Sequence, residues 1–339
     1  MQAVLQIWRT SRRKYSIFMV LFVLFFICSF ANPNFLTVNN LTNVSTQLAV
    51  TTILAFGATI LIICGMLDLS AGSVLALSGV FAVSVYKSTG SMLIAVLTGI
   101  LTGVVCNILN AVMISTFKAP PFIATLAMMM MARGVALQYT EGQNILQLGD
   151  FVVLGQGKIW GIPIPVLFLA AIAVLTWYLL NHTRFGRSLY AVGGNEEAAE
   201  ASGINVHKIK YTAFIINGIF VGLAGVLFMA RVNAGLPNGA INYEFTALTA
   251  AIIGGTSFSG GVGTAGGTLA GAFIVGFLDN IMNLTGVNSY LQQIIRGAII
   301  ALAVIYDIRS KNKMTKSLLG RIEDKRSATR KMKKPKNHA

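Results

Sequence analysis

Apolar runs alternate with short polar stretches along most of the 339-residue chain. Segments beginning at Ser16, Leu48, Val74, Met92, Pro121, Pro163, Tyr211, Phe245, Thr268 and Leu291 predict about ten helices that cross a bilayer or enter it part-way. A hydrocarbon core of roughly 30 Å needs about 20 residues of helix. The Val74–Tyr86 piece, thirteen residues, rises only about 20 Å, which fits a discontinuous or half-depth helix. The apolar Ser16–Phe30, after Arg9–Lys14, has the form of a signal peptide, with Ser29-Phe30-Ala31 resembling a cleavage site; retention as the first span is the expectation. The pattern predicts an all-α polytopic membrane protein. One transmembrane domain covers residues 1–308, with N- and C-termini cytoplasmic.

The polar interruptions differ in character. Arg184–Lys210 is the longest between the first apolar run and the tail. Gly193 and Gly194 read as helix breakers, and Asn195 as the N-cap of a short helix with Glu196 and Glu197 in its first turn. Ala198, Ala199 and Ala201 continue it, and Ser202-Gly203 stop it. A capped helix between two spans reads either as a docking peg or as a solvated loop with a helical turn. Asp68-Leu-Ser-Ala-Gly-Ser73 follows the second apolar run. Asp68 is an intramembrane carboxylate, which is costly and marks functional sites; the favoured reading is that it caps the next helix on the amide of Ser70 or Ala71. Gly254–Gly267 is rich enough in glycine for a phosphate cradle, yet it lacks G-x-x-x-x-G-K-[ST], and no lysine occurs between Lys210 and Lys311. It reads instead as backbone that lines a cavity or lets helices approach closely. Interruptions at Asp68–Ser73 and Gly254–Gly267, one in each half, point to a translocation path near the midplane.

Charge sharpens this picture. Charged residues make up 11% of the chain and hydrophobic ones 55%, against roughly 25% charged in soluble domains. The net charge of +15 sits at the ends: residues 309–339 hold twelve Lys or Arg against Glu323 and Asp324, and Arg9, Arg12, Arg13 and Lys14 supply four more. That distribution fits the positive-inside rule and a basic, disordered tail against anionic membrane lipid, and no folded domain or aromatic set supports nucleic-acid binding. On the ten-segment reading 21 of 26 basic residues fall inside; Lys87, Arg133, Lys158, Arg231 and Arg296 are the exceptions. Cys28, Cys64 and Cys106 lie singly in apolar runs and the three histidines are scattered, so neither a disulfide framework nor a metal site is expected. No nucleophile–base pair emerges, and no catalytic residue is assigned. Asn107 and Asn110 share a helix face, lining a polar path or bonding packed helices together. Asp279 and Arg296 are placed to pair or to face a polar cavity.

Five separated motifs then carry a resemblance. They are Asp68–Ser73, Pro120-Pro-Phe-Ile-Ala-Thr-Leu126 with Ala132-Arg-Gly134, Thr183-Arg-Phe-Gly-Arg187, Gly193-Gly-Asn195 with Ser202-Gly-Ile204, and Gly254-Gly-Thr-Ser with Ser259-Gly-Gly261. Over residues 15–308 the chain resembles the permease subunits of bacterial monosaccharide ABC importers of the ribose/xylose/galactose group. The resemblance implies a multi-pass protein of the inner membrane, dimeric with an identical or related second permease subunit. It also implies a cytosolic ABC ATPase that holds ATP and Mg, and a periplasmic or lipid-anchored sugar-binding protein. This chain itself would bind no cofactor. The ATPase would grip Gly194, Asn195, Glu196, Glu197, Ala198, Ala199, Ser202, Gly203 and Ile204. The general importer pattern is met at Glu197-Ala-Ala199 and Gly203 but lacks its later Leu-Pro, and Met66-Leu67 stands where the sugar group has Gly-Ile. For a neutral, hydroxyl-rich solute the candidate path residues are Asp68, Ser70, Asn107, Asn110, Asn217, Tyr243, Glu244, Asn280, Asn283 and Gln292. Two alternatives stand beside this reading: an ion-driven carrier using Asp68, Glu244, Asp279 or Arg296, and an ABC permease for nucleosides or branched-chain amino acids.

Overall fold

Helices that are apolar all round belong inside a bundle or inside a bilayer, and in this chain two of them form the centre. The computed structural model describes residues 2–302 together with 304, 305 and 309; the expected basic tail otherwise lies outside the described residues. The helices are α1 (Gln2–Ala31), α2 (Val38–Ile63), α3 (Ala71–Thr89) and α4 (Met92–Ala111), which continues as a π-helical turn (Val112–Thr116), then α5 (Pro121–Tyr139) and the single turn α6 (Val153–Gln156). After α7 (Ile164–His182) come α8 (Arg184–Gly194), α9 (Glu196–Ala201), α10 (Val206–Val232), α11 (Tyr243–Ile253) and α12 (Ala265–Leu284), and a helix α13 over 289–302. Among the described residues, seven helices are long and apolar enough to cross a membrane: α2, α3, α4 with its π turn, α5, α7, α10 and α12. The apolar part of α1, Ile17–Ala31, and α11 are shorter.

α2 and α10 are enclosed on nearly all sides, whereas α4, α5 and α7 keep broad apolar faces uncovered. The close approach of α10 to its neighbours follows from small residues. A methyl group at Gly218 would lie 2.7 Å from the carbonyl oxygen of Gly103, and one at Gly103 would lie 2.8 Å from the amide nitrogen of Gly222. Gly99-x-x-x-Gly103 on α4 thus meets Gly218-x-x-x-Gly222 on α10 backbone to backbone, which is how helices pack where lipid removes the hydrophobic drive. Short antiparallel ladders tie loops at one end: Ile145–Leu146 with Ala234–Gly235, and Lys158–Ile159 with Ile162–Pro163.

Nine of the ten predicted starts fall within an apolar helix and the tenth, Pro163, caps α7 one residue ahead of it, but three expectations differ. α2 begins at Val38, ten residues before Leu48, in an Asn- and Thr-rich stretch. Thr37 caps it on the Asn40 amide, and Asn40 and Asn280 exchange side-chain hydrogen bonds of 3.1 and 2.8 Å, so its asparagines are paired laterally. α3 is no half-depth piece: its 19 residues rise about 28 Å, because Ser88 and Thr89 return their hydroxyls to the Val85 carbonyl and Gly90 at φ +66° ends the helix. Finally, Gly193 and Gly194 do not break a helix; they are its last turn.

Candidate functional site

The expected short capped helix is present as α9. Asn195 Oδ1 accepts the Ala198 amide at 2.8 Å, with Glu196 and Glu197 in the first turn. At the other end the Gly203 amide donates to Glu200 O (2.9 Å) and the Ile204 amide to Ala199 O (3.1 Å), a Schellman closure that places Gly203 at φ +81°. Ala199 is the buried anchor, while Asn195, Glu196, Glu197, Ala198, Ser202 and Gly203 face outward. Lys210 pairs with Glu196 at 2.7 Å; such an exposed pair is worth little to stability but fixes the start of α9 against α10. The surface left to a partner is acidic, short and rigidly capped at both ends.

Behind the peg, α8 is held against two other parts of the chain. The Ile63 carbonyl at the end of α2 accepts the amide of Gly261 at 2.9 Å, and a methyl group at Gly193 would collide with that same carbonyl. A methyl at Gly260 would lie 2.6 Å from the Gly193 oxygen, and one at Gly261 would lie 3.0 Å from the Gly194 Cα. Tyr190 on α8 donates its hydroxyl to Gly263 O at 2.7 Å, and burial raises its pKa, which keeps it the donor. Of the two readings of the glycine-rich stretch, close approach is the one realised around residues 260–263. Sequence reasoning assigned no role to Tyr190; nothing in its local pattern marks a hydroxyl whose acceptor lies 73 residues away.

The path candidates separate into two groups. Asp68 Oδ1 accepts the Ser70 amide at 2.8 Å and the Ser70 hydroxyl, so the expected bond to the Ser70 amide is formed just ahead of α3. Asn217 Nδ2 donates to Asp68 Oδ2 (2.7 Å) and to Asn107 Oδ1 (2.8 Å), and Asn110 Nδ2 donates to Ser70 Oγ (3.0 Å). Five candidates from two helices and one break thus form a single network, and each is at most 3% exposed. Glu244, 6% exposed, stands next to it at the start of α11: a methyl at Gly72 would collide with its Oε2. The first turns of α3 and α11 therefore meet inside the bundle, with Asp68 just ahead of α3 and Glu244 in the first turn of α11, where the positive ends of the helix dipoles lie. Arg133, which the sequence marked as a charge on the outer side and as part of the Ala132-Arg-Gly134 motif without a role, bonds the carbonyls of Pro237 (2.6 Å) and Gly239 (2.9 Å) and so holds the loop that enters α11.

The second group serves packing. Asn280 is committed to Asn40, Gln292 donates to Asn283 at 2.9 Å, and the Tyr243 ring packs edge-on against Phe228 at 5.4 Å. Asp279 and Arg296 form an ion pair of 2.8 Å beside a cavity of about 190 Å³ lined by Asn242, Phe245, Thr246 and Gln293. As charges already neutralised by each other, they are poor candidates for an ion-coupled set. The three cysteines are free and buried, and no cluster of potential metal ligands occurs among the described residues.

A family model described as branched-chain amino acid transport system / permease component matches residues 40–304. Among curated proteins, the ribose import permease of Escherichia coli K12 is 41% identical over 292 residues, 85% of this chain and 91% of that one. The ribose import permease of Bacillus subtilis 168 is 40% identical, covering 86% and 91%. The L-arabinose transport system permease of Escherichia coli K12 is 34% identical, covering 90% and 93%. No solved structure matches the chain significantly.

Proposed function

Because the chain belongs to the family of branched-chain amino acid transport system permease components, we propose that it is the multi-pass permease subunit of an ABC importer in the inner membrane, carrying a monosaccharide such as ribose. The observation that carries this reading is the roughly 40% identity, along most of the chain, to proteins named as ribose import permeases. In this reading about ten helices cross or enter the bilayer and both termini are cytoplasmic, in keeping with the basic ends of the chain. A cytosolic ATPase, which holds the ATP and Mg, receives α9, and an external binding protein delivers the sugar. The permease makes and breaks no bond.

The sealed polar network bears on where the sugar travels. Asp68, Ser70, Asn107, Asn110 and Asn217 bond to one another, with the Asn110 side-chain oxygen left without a partner, and they expose almost nothing. The path therefore runs between this chain and a second permease subunit, and the network holds the helix breaks that shape its wall. To test the reading, tagged protein is purified in mild detergent from its native host, copurifying proteins are identified, and labelled ribose uptake is compared with and without the gene. Recovery of an ABC ATPase together with gene-dependent sugar uptake is expected. A permease that purifies without an ATPase and moves solute under an ion gradient would overturn it.

A further inference from the structure

The contacts behind the coupling helix point to a specific receiver for its motion. We propose that the glycine-rich loop over 254–264 carries the displacement of α9 into α11 and α12, and that Tyr190 is the positioning residue that latches this loop to α8. The proposal rests on the reading of α9 as the ATPase contact.

The argument is one of geometry. α8 runs into α9 with only Asn195 between them, so the two ends move together. The last turn of α8 meets the loop backbone to backbone: Gly193 lies under Gly260, and Gly194 beside Gly261. Close-packed backbone has no side-chain rotamers to absorb a shift, so a displacement of one side is passed to the other. Three further ties hold the contact: Gly261 to the Ile63 carbonyl at 2.9 Å, Tyr190 to the Gly263 carbonyl at 2.7 Å, and Gly263 packed on the Ile63 side chain. The loop in turn joins α11 to α12. At its far end α11 begins at Tyr243-Glu244, where the Glu244 carboxylate presses on Gly72 at the start of α3. A contiguous set of packed pieces thus connects the exposed peg with the meeting point of the α3 and α11 first turns.

The test uses the complete complex of permease, ATPase and binding protein in proteoliposomes. It compares wild type with Tyr190→Phe and Tyr190→Ala, reading ATPase capture, stimulation of hydrolysis by sugar-loaded binding protein, and sugar transported per ATP. Phenylalanine keeps the ring and removes the hydroxyl. Expected for Tyr190→Phe is unchanged capture of the ATPase and unchanged basal hydrolysis, with transport per ATP lowered about fivefold, the scale of one hydrogen bond; Tyr190→Ala falls at least as far. Wild-type coupling in Tyr190→Phe overturns the latch, whether or not Tyr190→Ala is impaired, because packing alone then explains the residue. Failure of the wild-type chain to capture any ATPase defeats the proposed function itself, which keeps the two failures apart.

Discussion

At the scale of single residues, the buried asparagines matter through what they are joined to. Asn217 donates to Asp68 and Asn107 at once, so Asn217→Ala leaves a carboxylate short of a donor in a site 3% exposed. A loss of about 2–3 kcal/mol is expected, read as a lower melting temperature in detergent, while Ser84→Ala, which removes an exposed hydroxyl pair with Tyr139, stays within about 0.5 kcal/mol. Equal melting of the two variants would show that the network does not hold the fold. Gly72 is a second case. Gly72→Ala is expected to cost about 1–3 kcal/mol by overpacking against Glu244 and the Ala240 carbonyl. Adding Glu244→Ala should recover part of that loss, and no recovery would place the strain elsewhere. The sequence named Asp68 from the cost of a carboxylate in a membrane, Asn107 and Asn110 as a pair on one helix face, and Asn217 as a polar candidate for a hydroxyl-rich solute. It could not group them, since Asp68 and Asn217 are 149 residues apart and a single chain read locally carries no sign of that contact.

At the scale of elements, local rules worked where structure is local. The N-cap at Asn195, the acidic first turn and the glycine stop at Gly203 were all legible before any coordinate, because capping involves neighbours within four residues. Gly193 and Gly194 misled for the converse reason. Glycine propensity disfavours a helix, but the carbonyl of Ile63 and the loop at Gly260–Gly261 come so close that only glycine fits at 193, and tertiary contact overrides the preference. The start of α2 at Val38 was hidden likewise by Asn40, whose partner Asn280 lies 240 residues on. Two classes of change in α9 should separate fold from coupling. Asn195→Ala loses one cap bond, about 1 kcal/mol, and should lower uptake only in part. Glu197→Lys reverses an exposed charge, and Gly203→Trp puts a bulky side chain at φ +81° on the outer face. Both should insert normally yet abolish uptake and ATPase capture. Normal uptake by Glu197→Lys and Gly203→Trp would remove α9 from the mechanism.

At the scale of the whole molecule, hydropathy located nearly every span, because burial in lipid leaves a signal in each segment separately. What hydropathy could not reveal is which spans face protein and which face outward. α2 and α10 are as apolar as α7, yet the first two are enclosed and α7 keeps Val174, Leu175, Trp177 and Tyr178 exposed. The same enclosure bears on the proposed driving force. A carrier powered by an ion gradient needs a charged group that binds and releases the ion from each side in turn. Here Asp68 is tied to three donors and shielded, and Asp279 is held by Arg296. With Asp68 hydrogen-bonded and Asp279 paired, the proposed route for energy is a partner that acts through α9. The purified permease alone, in proteoliposomes under a proton or sodium gradient, is therefore expected to accumulate no labelled ribose. Addition of the ATPase with ATP and of the sugar-loaded binding protein should start accumulation, and Glu197→Lys should stop it again. Gradient-driven uptake by the permease alone would mean that the buried carboxylates exchange ions after all, and that the acidic peg serves some other contact.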